Sequence, residues 1–211
     1  GGLTLEGTSA SETIHSSLQS DTIIGGLGDD TLVGNAGIDT FVHEVGDGND
    51  TIHGYTLNNT ASNALSVVEM NGVAASDLYL NVSGYDLIVT DIATSETLTL
   101  KGQFISTNYG YEFASVNGID VTNGFTVRGT SATAAEVVKG GTGADIVLAQ
   151  AGNDTAYGGS GNDTIYGGAG DDLLVGEAGF DQFIHNVGDG NDNIHGYTLN
   201  NTASNALSVV E

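Results

Sequence analysis

The sequence predicts an all-β fold in which two arrays of short, coiled strands flank a small antiparallel β segment. Three observations favour it: a nine-residue repeat of glycine, acid and apolar residue, a two-residue alternation between the arrays, and the lack of a convincing helical period. Of the 211 residues, 33 are glycine and none is proline or cysteine. Disulfides and thiolate metal sites are therefore excluded.

The first array, residues 1–55, carries one acid in each nonamer. Its clearest nonamers are "GGLGDDTLV" at 25–33 and "GNAGIDTFV" at 34–42, preceded by the glycine-poor "GTSASETIH" and "SSLQSDTII". An apolar residue follows two positions after each acid, which predicts one inward side chain in a short strand. These pairs are Glu12 and Ile14, Asp21 and Ile23, Asp30 and Leu32, and Asp39 and Phe41.

Residues 56–128 change to a period of two. "DLYLNV" places Leu78, Leu80 and Val82 on one face, and "ETLTLK" alternates Leu98 and Leu100 with polar residues. Glycines interrupt these runs at roughly hairpin spacing, which predicts an antiparallel β segment.

The second array, residues 129–196, resumes the nine-residue period. It contains "GGTGADIVL", "GGSGNDTIY" and "GGAGDDLLV", with acids at Glu136, Asp145, Asp154, Asp163, Asp172 and Asp181. Both arrays then slip by two residues and resume in "VGDGNDTIH" and "VGDGNDNIH", which contain Asp50 and Asp192.

A longer repeat has a period of 142 residues. Residues 43–69 and 185–211 are identical at 25 of 27 positions. We therefore interpret the chain as an excerpt of a tandem array, with 197–211 as the truncated start of the next β segment. This interpretation predicts end-to-end association of neighbouring copies of the module.

The charge balance points to cations as partners. Three basic residues face 27 acidic ones, a formal net charge of −24. Nucleic acids and anionic membranes need a basic surface, so neither is an expected partner. No apolar run approaches the roughly 18 residues of a membrane span.

The nonamer explains why a cation is needed. One nonamer buries too little apolar surface to offset the entropy of ordering it, so the units must stack. Stacking brings the carboxylates to strand spacing, about 4.8 Å, where they repel each other. Calcium accepts six to eight carboxylate and carbonyl oxygens, and glycines let the turn direct carbonyls inward. With two nonamers per coil, each ion bridges acids 18 residues apart; the alternative is a metal-free solenoid with solvated acidic turns.

These nonamers resemble the RTX nonapeptide repeat, G-G-x-G-x-D-x-U-x, of haemolysin-type calcium-binding proteins. The central "VAASDLYLNVSGYDLIVTDIATSETLTLKGQF" is similar to the β segment that often accompanies such arrays. The resemblance implies two calcium-binding parallel β-roll arrays flanking the antiparallel segment. It also implies that the second and fourth carbonyls and the acid of one nonamer share an ion with the first and third carbonyls and the acid of the nonamer two further on.

Mapped on this chain, the resemblance implies four in-register sites and two at the slips, on the order of six ions. The first array gives Ser17, Gln19 and Asp21 with Gly34, Ala36 and Asp39. The second gives Gly141, Gly143 and Asp145 with Gly158, Ser160 and Asp163; Gln150, Gly152 and Asp154 with Gly167, Ala169 and Asp172; and Gly159, Gly161 and Asp163 with Gly176, Ala178 and Asp181. The slip sites join Gly26, Gly28 and Asp30 to Asp50, and Gly168, Gly170 and Asp172 to Asp192. Coils with Glu12 and Glu136 are expected to be caps that bind calcium weakly or not at all.

Other polar residues have simpler interpretations. Asp29 and Asp171 are expected to be surface charges, while a ligand role for Asp47 and Asp189 stays open. The five histidines are expected at the surface rather than on a transition metal. An exposed patch of Tyr79, Tyr85, Tyr109 and Tyr111 would favour a glycan- or protein-binding module.

No catalytic motif is present, so the excerpt is not predicted to be an enzyme. The first hypothesis is a calcium-folded structural module of a large extracellular bacterial protein, of adhesin or cell-surface-layer type, exported by type I secretion. The alternative is the calcium-binding accessory region of a secreted hydrolase, epimerase or toxin. The sequence identifies no receptor or glycan.

Overall fold

The computed structural model describes residues 2–54, 66–103, 113–129 and 133–195, together with the backbone of 208–210. Over these residues the protein is all-β, with a single turn of 3-10 helix at Ala75–Asp77. The chain divides into two units, Gly1–Tyr79 with Ser83–Thr122, and Leu80–Val82 with Asn123–Glu211. The predicted all-β fold is confirmed.

The strands up to Asp120 are short, and most alternate buried and half-exposed side chains. They are β1 (Thr4–Glu6), β2 (Thr13–His15), β3 (Thr22–Ile24), β4 (Thr31–Val33), β5 (Thr40–Glu44), β6 (Asp50–His53), β7 (Ser66–Asn71), β8 (Leu78–Ser83), β9 (Asp86–Asp91), β10 (Thr97–Leu100), β11 (Phe113–Val116) and β12 (Ile119–Asp120).

The first unit is a parallel roll whose strands alternate between two sheets. One sheet has the order β1-β3-β5-β7-β11-β12 and the other β2-β4-β6-β10-β9-β8. The partner strands are 18 residues apart, as in the pairing of Ile23 with Phe41 and of Ile14 with Leu32. Because each coil contributes the same inward position, Ile23, Leu32 and Phe41 form a buried column between the sheets.

The central segment continues these sheets and is mixed rather than purely antiparallel. β9 and β10 form an antiparallel hairpin, and β10 pairs in parallel with β6. β7 also pairs in parallel with β5, although the alternation had placed it in the antiparallel segment. Phe113 packs edge-to-face on Phe41 at 5.9 Å between ring centroids, which joins the segment to the roll core.

The second unit is a longer roll built on the same plan. Its strands are β13 (Thr126–Arg128), β14 (Val137–Lys139), β15 (Ile146–Ala151), β16 (Thr155–Ser160), β17 (Thr164–Ala169), β18 (Leu173–Ala178), β19 (Gln182–Ile184), β20 (Asn193–His195) and β21 (Ser208–Val210). The two sheets have the orders β13-β15-β17-β19-β21 and β14-β16-β18-β20, all parallel. Thus β13, predicted as the end of the antiparallel segment, is the first strand of this roll.

Candidate metal centre

The acids of each roll lie in a row, one per coil, just before the inward apolar residue. One carboxylate oxygen, Oδ1, accepts a hydrogen bond from the backbone N–H of the acid one coil earlier. The N–H of Asp145 donates to Asp163 at 2.8 Å, and that of Asp154 donates to Asp172 at 2.7 Å. The predicted spacing of 18 residues between stacked acids is therefore what the structure shows.

The slip changes this spacing without breaking the row. The N–H of Asp30 donates to Oδ1 of Asp50 at 2.9 Å, and the N–H of Asp172 donates to Oδ1 of Asp192 at 3.1 Å. Both pairs are 20 residues apart. Asp50 and Asp192 thus stack on the acids that the sequence paired with them.

The second oxygen, Oδ2, is the unusual atom of the site. In six of these acids it is buried and has no hydrogen-bond partner among the described residues: Asp30, Asp39, Asp154, Asp163, Asp172 and Asp181. An ionised carboxylate oxygen without a donor or a cation is costly to bury, by about 1–3 kcal/mol or more. A row of such oxygens fits a cation that partners them.

Burial also shifts the ionisation of these groups. Desolvation raises the pKa of Asp39 and Asp145 to about 6 and that of Asp163 to about 7. The same cause, opposed by backbone hydrogen bonds, raises the pKa of Asp30, Asp154, Asp172 and Asp181. A bound cation would act in the opposite direction and hold the carboxylates ionised.

The first glycine of the nonamer leaves room for this oxygen. A Cβ on Gly158 would lie 2.5 Å from Oδ2 of Asp163, and one on Gly25 would lie 2.7 Å from Oδ2 of Asp30. Any side chain at these positions would displace the carboxylate. The first glycine is therefore required by close approach rather than by a turn conformation.

The candidate carbonyl ligands lie in adjacent turns. The N–H of Ser160 donates to the Gly141 carbonyl at 3.0 Å, and the N–H of Gly143 donates to the Ser160 carbonyl at 2.7 Å. The same contact joins Gly161 to Ala178 and Gly152 to Ala169, and at the slips Gly28 to Asp47 and Gly170 to Asp189. Each carbonyl oxygen keeps a second lone pair for a cation. The predicted partner turns are thus brought together: 17–21 by 34–39, 141–145 by 158–163, 150–154 by 167–172, 159–163 by 176–181, 26–30 by 47–50 and 168–172 by 189–192.

No described group of three or more His, Asp or Glu side chains could hold a metal by itself. A cation in these turns would need backbone carbonyl oxygens, which calcium accepts as ligands.

The glycine-poor coils of the first array satisfy their acids differently. Oδ2 of Asp21 accepts from the N–H and the hydroxyl of Ser17 at 2.8 and 2.7 Å, and these bonds, the Ser17 hydroxyl foremost, lower the pKa of Asp21. Likewise the N–H and hydroxyl of Thr8 donate to Glu12. The Ser16 hydroxyl donates to the carbonyl of Gly34, one of the predicted ligands. The Asp21 side of that predicted site therefore has its own donors.

The residue before the acid forms a second ladder that the sequence interpretation missed. Oδ1 of Asp29 accepts from the N–H of Asn49 at 2.9 Å, and Oδ1 of Asp171 from that of Asn191 at 2.9 Å. Asn153 and Asn162 serve the same purpose one coil on. The frequent Asn, Asp or Ser at this position was the available signal. Both aspartates are exposed, in accord with the predicted surface location.

The slip loops contain their own carboxylate contacts. Asp47 is buried, accepts from the N–H of Glu44 at 2.8 Å, and has a pKa raised mainly by desolvation. Asp189 accepts from the N–H of Asn186 at 2.6 Å. Both therefore close the loop in which they lie.

The expectation that all histidines lie at the surface was wrong for His43, whose side chain is 2% exposed. Its Nδ1 is 3.0 Å from Oδ2 of Asp50. Residue 43 points inward because β5 continues two residues past the buried Phe41, and the alternation was not extended into the slip. Of the predicted aromatic patch, Tyr85 is exposed, whereas Tyr109 and Tyr111 lie outside the described residues.

Comparisons with known proteins agree with this geometry. A family model described as the RTX calcium-binding nonapeptide repeat matches four segments, residues 6–41, 44–61, 132–164 and 148–183, which together cover about half of the chain. No curated protein matches the chain. Over the described residues, the structure has no helix that is both long and apolar enough to cross a bilayer.

Proposed function

Since the chain belongs to the RTX calcium-binding nonapeptide repeat family, we propose that it is a calcium-folded structural module of a large extracellular bacterial protein, of adhesin or cell-surface-layer type. The observation that carries the proposal is the row of buried carboxylate oxygens without hydrogen-bond partners. The chain supplies oxygen ligands in every turn, and calcium is the divalent ion that accepts many such ligands in flexible geometry.

The proposed ligands are those of the in-register turns. In the second roll, the carboxylates of Asp145, Asp154, Asp163, Asp172 and Asp181 would hold ions together with the carbonyls of the adjacent turns. In the first roll, Asp39 would do so with Asp21 and the carbonyls of residues 17, 19, 34 and 36. Bound calcium supplies positive charge between stacked acids, and the protein orients the oxygens and excludes water from them.

Folding would then follow the calcium concentration outside the cell. Ligands that bind only the folded state stabilise it in proportion to the logarithm of their concentration above Kd. Extracellular calcium modules have Kd values of about 0.1–1 mM. At lower calcium concentrations the chain stays expanded by its own charge, which suits export through a type I secretion channel.

Tandem copies favour the adhesin or surface-layer role, because repeated modules build length and multivalency. The backbone of β21 pairs with β19, as β7 pairs with β5 one period earlier. The start of one module thus extends the roll of the module before it, which supports end-to-end association. Size-exclusion chromatography with and without residues 197–211 tests this; unchanged elution would remove the association proposal.

The decisive experiment for the calcium role is far-UV circular dichroism during a calcium titration from chelator-stripped protein. We expect a cooperative gain of β signal at about 0.1–1 mM calcium, and none with magnesium at the same concentration. Magnesium is the matched control because it has the same charge but demands a smaller octahedral site. A chain already fully folded in chelator and indifferent to calcium would contradict the proposal.

A further inference from the structure

The last coil of each roll contains a histidine contact that no other coil has in the described part of the chain. Nδ1 of His43 lies 3.0 Å from Oδ2 of Asp50, and Nδ1 of His185 lies 2.8 Å from Oδ2 of Asp192. Both pairs are seven residues apart and span the two-residue slip. The same contact therefore occurs in two separately folded copies.

The contacted oxygen is the one that distinguishes the proposed calcium ligands. Asp50 and Asp192 use Oδ1 as the other acids do, accepting the N–H of the acid one coil earlier. In Asp30, Asp39, Asp154, Asp163, Asp172 and Asp181 the Oδ2 atom is buried without a partner. In Asp50 and Asp192 the imidazole occupies that position.

The slip produces this arrangement. β5 extends to Glu44, so His43 points inward two residues after Phe41, and the loop that follows is closed by the bond from the Glu44 N–H to Asp47. The loop returns the chain so that Asp50 meets the His43 ring. The closing bond recurs between Asn186 and Asp189 in the second roll.

The first roll adds a second carboxylate on the other side of the ring. Nε2 of His43 is 3.9 Å from Oε2 of Glu96, which also accepts the N–H of Gly46 at 3.0 Å. His43 is thus held between Asp50 and Glu96. His185 is less enclosed, with 35% of its side chain exposed.

We propose that His43 and His185 take the place of calcium at the last coil of each roll, so that Asp50 and Asp192 are histidine-bonded acids and not calcium ligands. The two slip sites implied by the family pattern then hold no ion, and each roll ends in a coil that is complete without metal. This inference rests on the proposed calcium role of the other acids. It corrects which residues of the chain perform that role.

Native mass spectrometry of the full chain in calcium tests the proposal by counting bound ions. Asp192→Asn removes a histidine-bonded acid, and Asp181→Asn is the matched variant at an acid with an unpartnered oxygen. We expect Asp181→Asn to lose at least one ion relative to the unaltered chain and Asp192→Asn to lose none. Loss of an ion from Asp192→Asn would overturn the proposal.

A histidine variant gives the converse test. His185→Ala frees Oδ2 of Asp192, so we expect it to gain one ion at high calcium, whereas His185→Asn keeps an N–H donor and should gain none. An unchanged ion count in His185→Ala would contradict the proposal. His185 is preferred to His43 because it is less buried, so the variant has less effect on the core.

A third measurement does not depend on calcium ligation elsewhere. At pH 8 in calcium, long-range ¹H–¹⁵N spectra should show both rings carrying their proton on Nδ1, the nitrogen that faces the carboxylate. A proton on Nε2 in both would overturn the histidine contact. If neither aspartate variant changes the ion count, the calcium assignment of Asp181 fails, and the Nδ1 signal alone decides the histidine contact.

Discussion

At the scale of single residues, the two oxygens of each in-register aspartate have different roles. Oδ1 bonds to the backbone of the coil before it and fixes the side chain, so it needs no metal. Oδ2 is held over the first glycine of its nonamer, buried and without a donor in six acids. The cost of that burial is the reason why a metal would be bound, because it is relieved only by a proton or a cation.

Asp163→Asn separates these roles. Asparagine keeps an oxygen for the Asp145 N–H and removes the charge. In chelator we expect equal or greater stability than in the unaltered chain, because a buried carboxylate with a pKa raised to about 7 is removed. In calcium we expect the folding midpoint to rise roughly tenfold or more, the effect of losing a charged ligand worth about 1.5–3 kcal/mol.

Asp171→Asn is the control for this comparison, because Asp171 is exposed and its Oδ1 only accepts the N–H of Asn191. It should shift neither the chelator nor the calcium measurement. Circular dichroism during urea and calcium titrations reads both. Loss of stability of Asp163→Asn in chelator would show that the carboxylate is stabilising without metal.

The pH dependence of the metal-free chain follows from the raised pKa values of Asp39, Asp145 and Asp163, about 6, 6 and 7 against an ordinary 3.8. Between about pH 4 and 7 the folded state binds more protons than the unfolded state, so the free energy of unfolding falls as pH rises through this window. His53, whose pKa burial lowers, acts in the opposite direction but is one group against three. Urea unfolding at pH 5 and pH 8, after metal removal on a chelating resin, should give the higher midpoint at pH 5.

In saturating calcium the dependence should reverse, because protons compete with calcium for the same oxygens. Asp163→Asn supplies the control, since it should weaken the pH dependence of the metal-free chain. A higher midpoint at pH 8 without calcium would mean that these carboxylates are not desolvated in the folded state.

At the scale of elements, each strand contributes very little by itself. β17 buries Ile165 between outward Thr164 and half-buried Tyr166, and its stability comes from stacking on β15 and β19. A single inward residue per coil means that a cavity there is not compensated within the strand. The column of inward residues is therefore the weak point of each roll.

Ile165→Ala should lower the free energy of unfolding in calcium by about 2–5 kcal/mol, the usual cost of truncating a buried isoleucine. Ile146→Ala is the matched control, because Ile146 lies in the neighbouring strand with 43% of its side chain exposed. It should cost much less. Equal losses in urea titrations of the two variants would contradict the assigned direction of the side chains.

The sequence predicted these elements well wherever a local period repeats. The acid and the apolar residue two positions later give the strand, its inward residue and the 18-residue stacking, because all three depend on spacing alone. β7 and β13 were placed in the wrong segment since an alternating strand has the same local pattern in a parallel and an antiparallel sheet. The His43 contact was missed because it depends on how the slip loop closes, and no nine-residue pattern contains that loop.

At the scale of the whole molecule, the net charge of −24 allows two explanations of calcium-dependent folding. In one, calcium partners specific buried oxygens; in the other, it only screens repulsion between solvated acidic turns. Monovalent salt distinguishes them, because 1 M salt reduces the screening length to about 3 Å and suppresses repulsion between exposed charges. Sodium chloride cannot supply the divalent, many-oxygen coordination that the buried Oδ2 atoms fit.

We therefore expect 1 M sodium chloride in chelator to compact the chain without restoring the rolls, whereas millimolar calcium restores them at low salt. Small-angle scattering should show a metal-free radius of gyration between the compact value and the roughly 50 Å of an unfolded chain of this length. It should fall in salt while the β signal stays low. A full β signal in salt without calcium would mean that screening alone folds the rolls, and the aspartate row would then be a solvated acidic face rather than a set of ion sites.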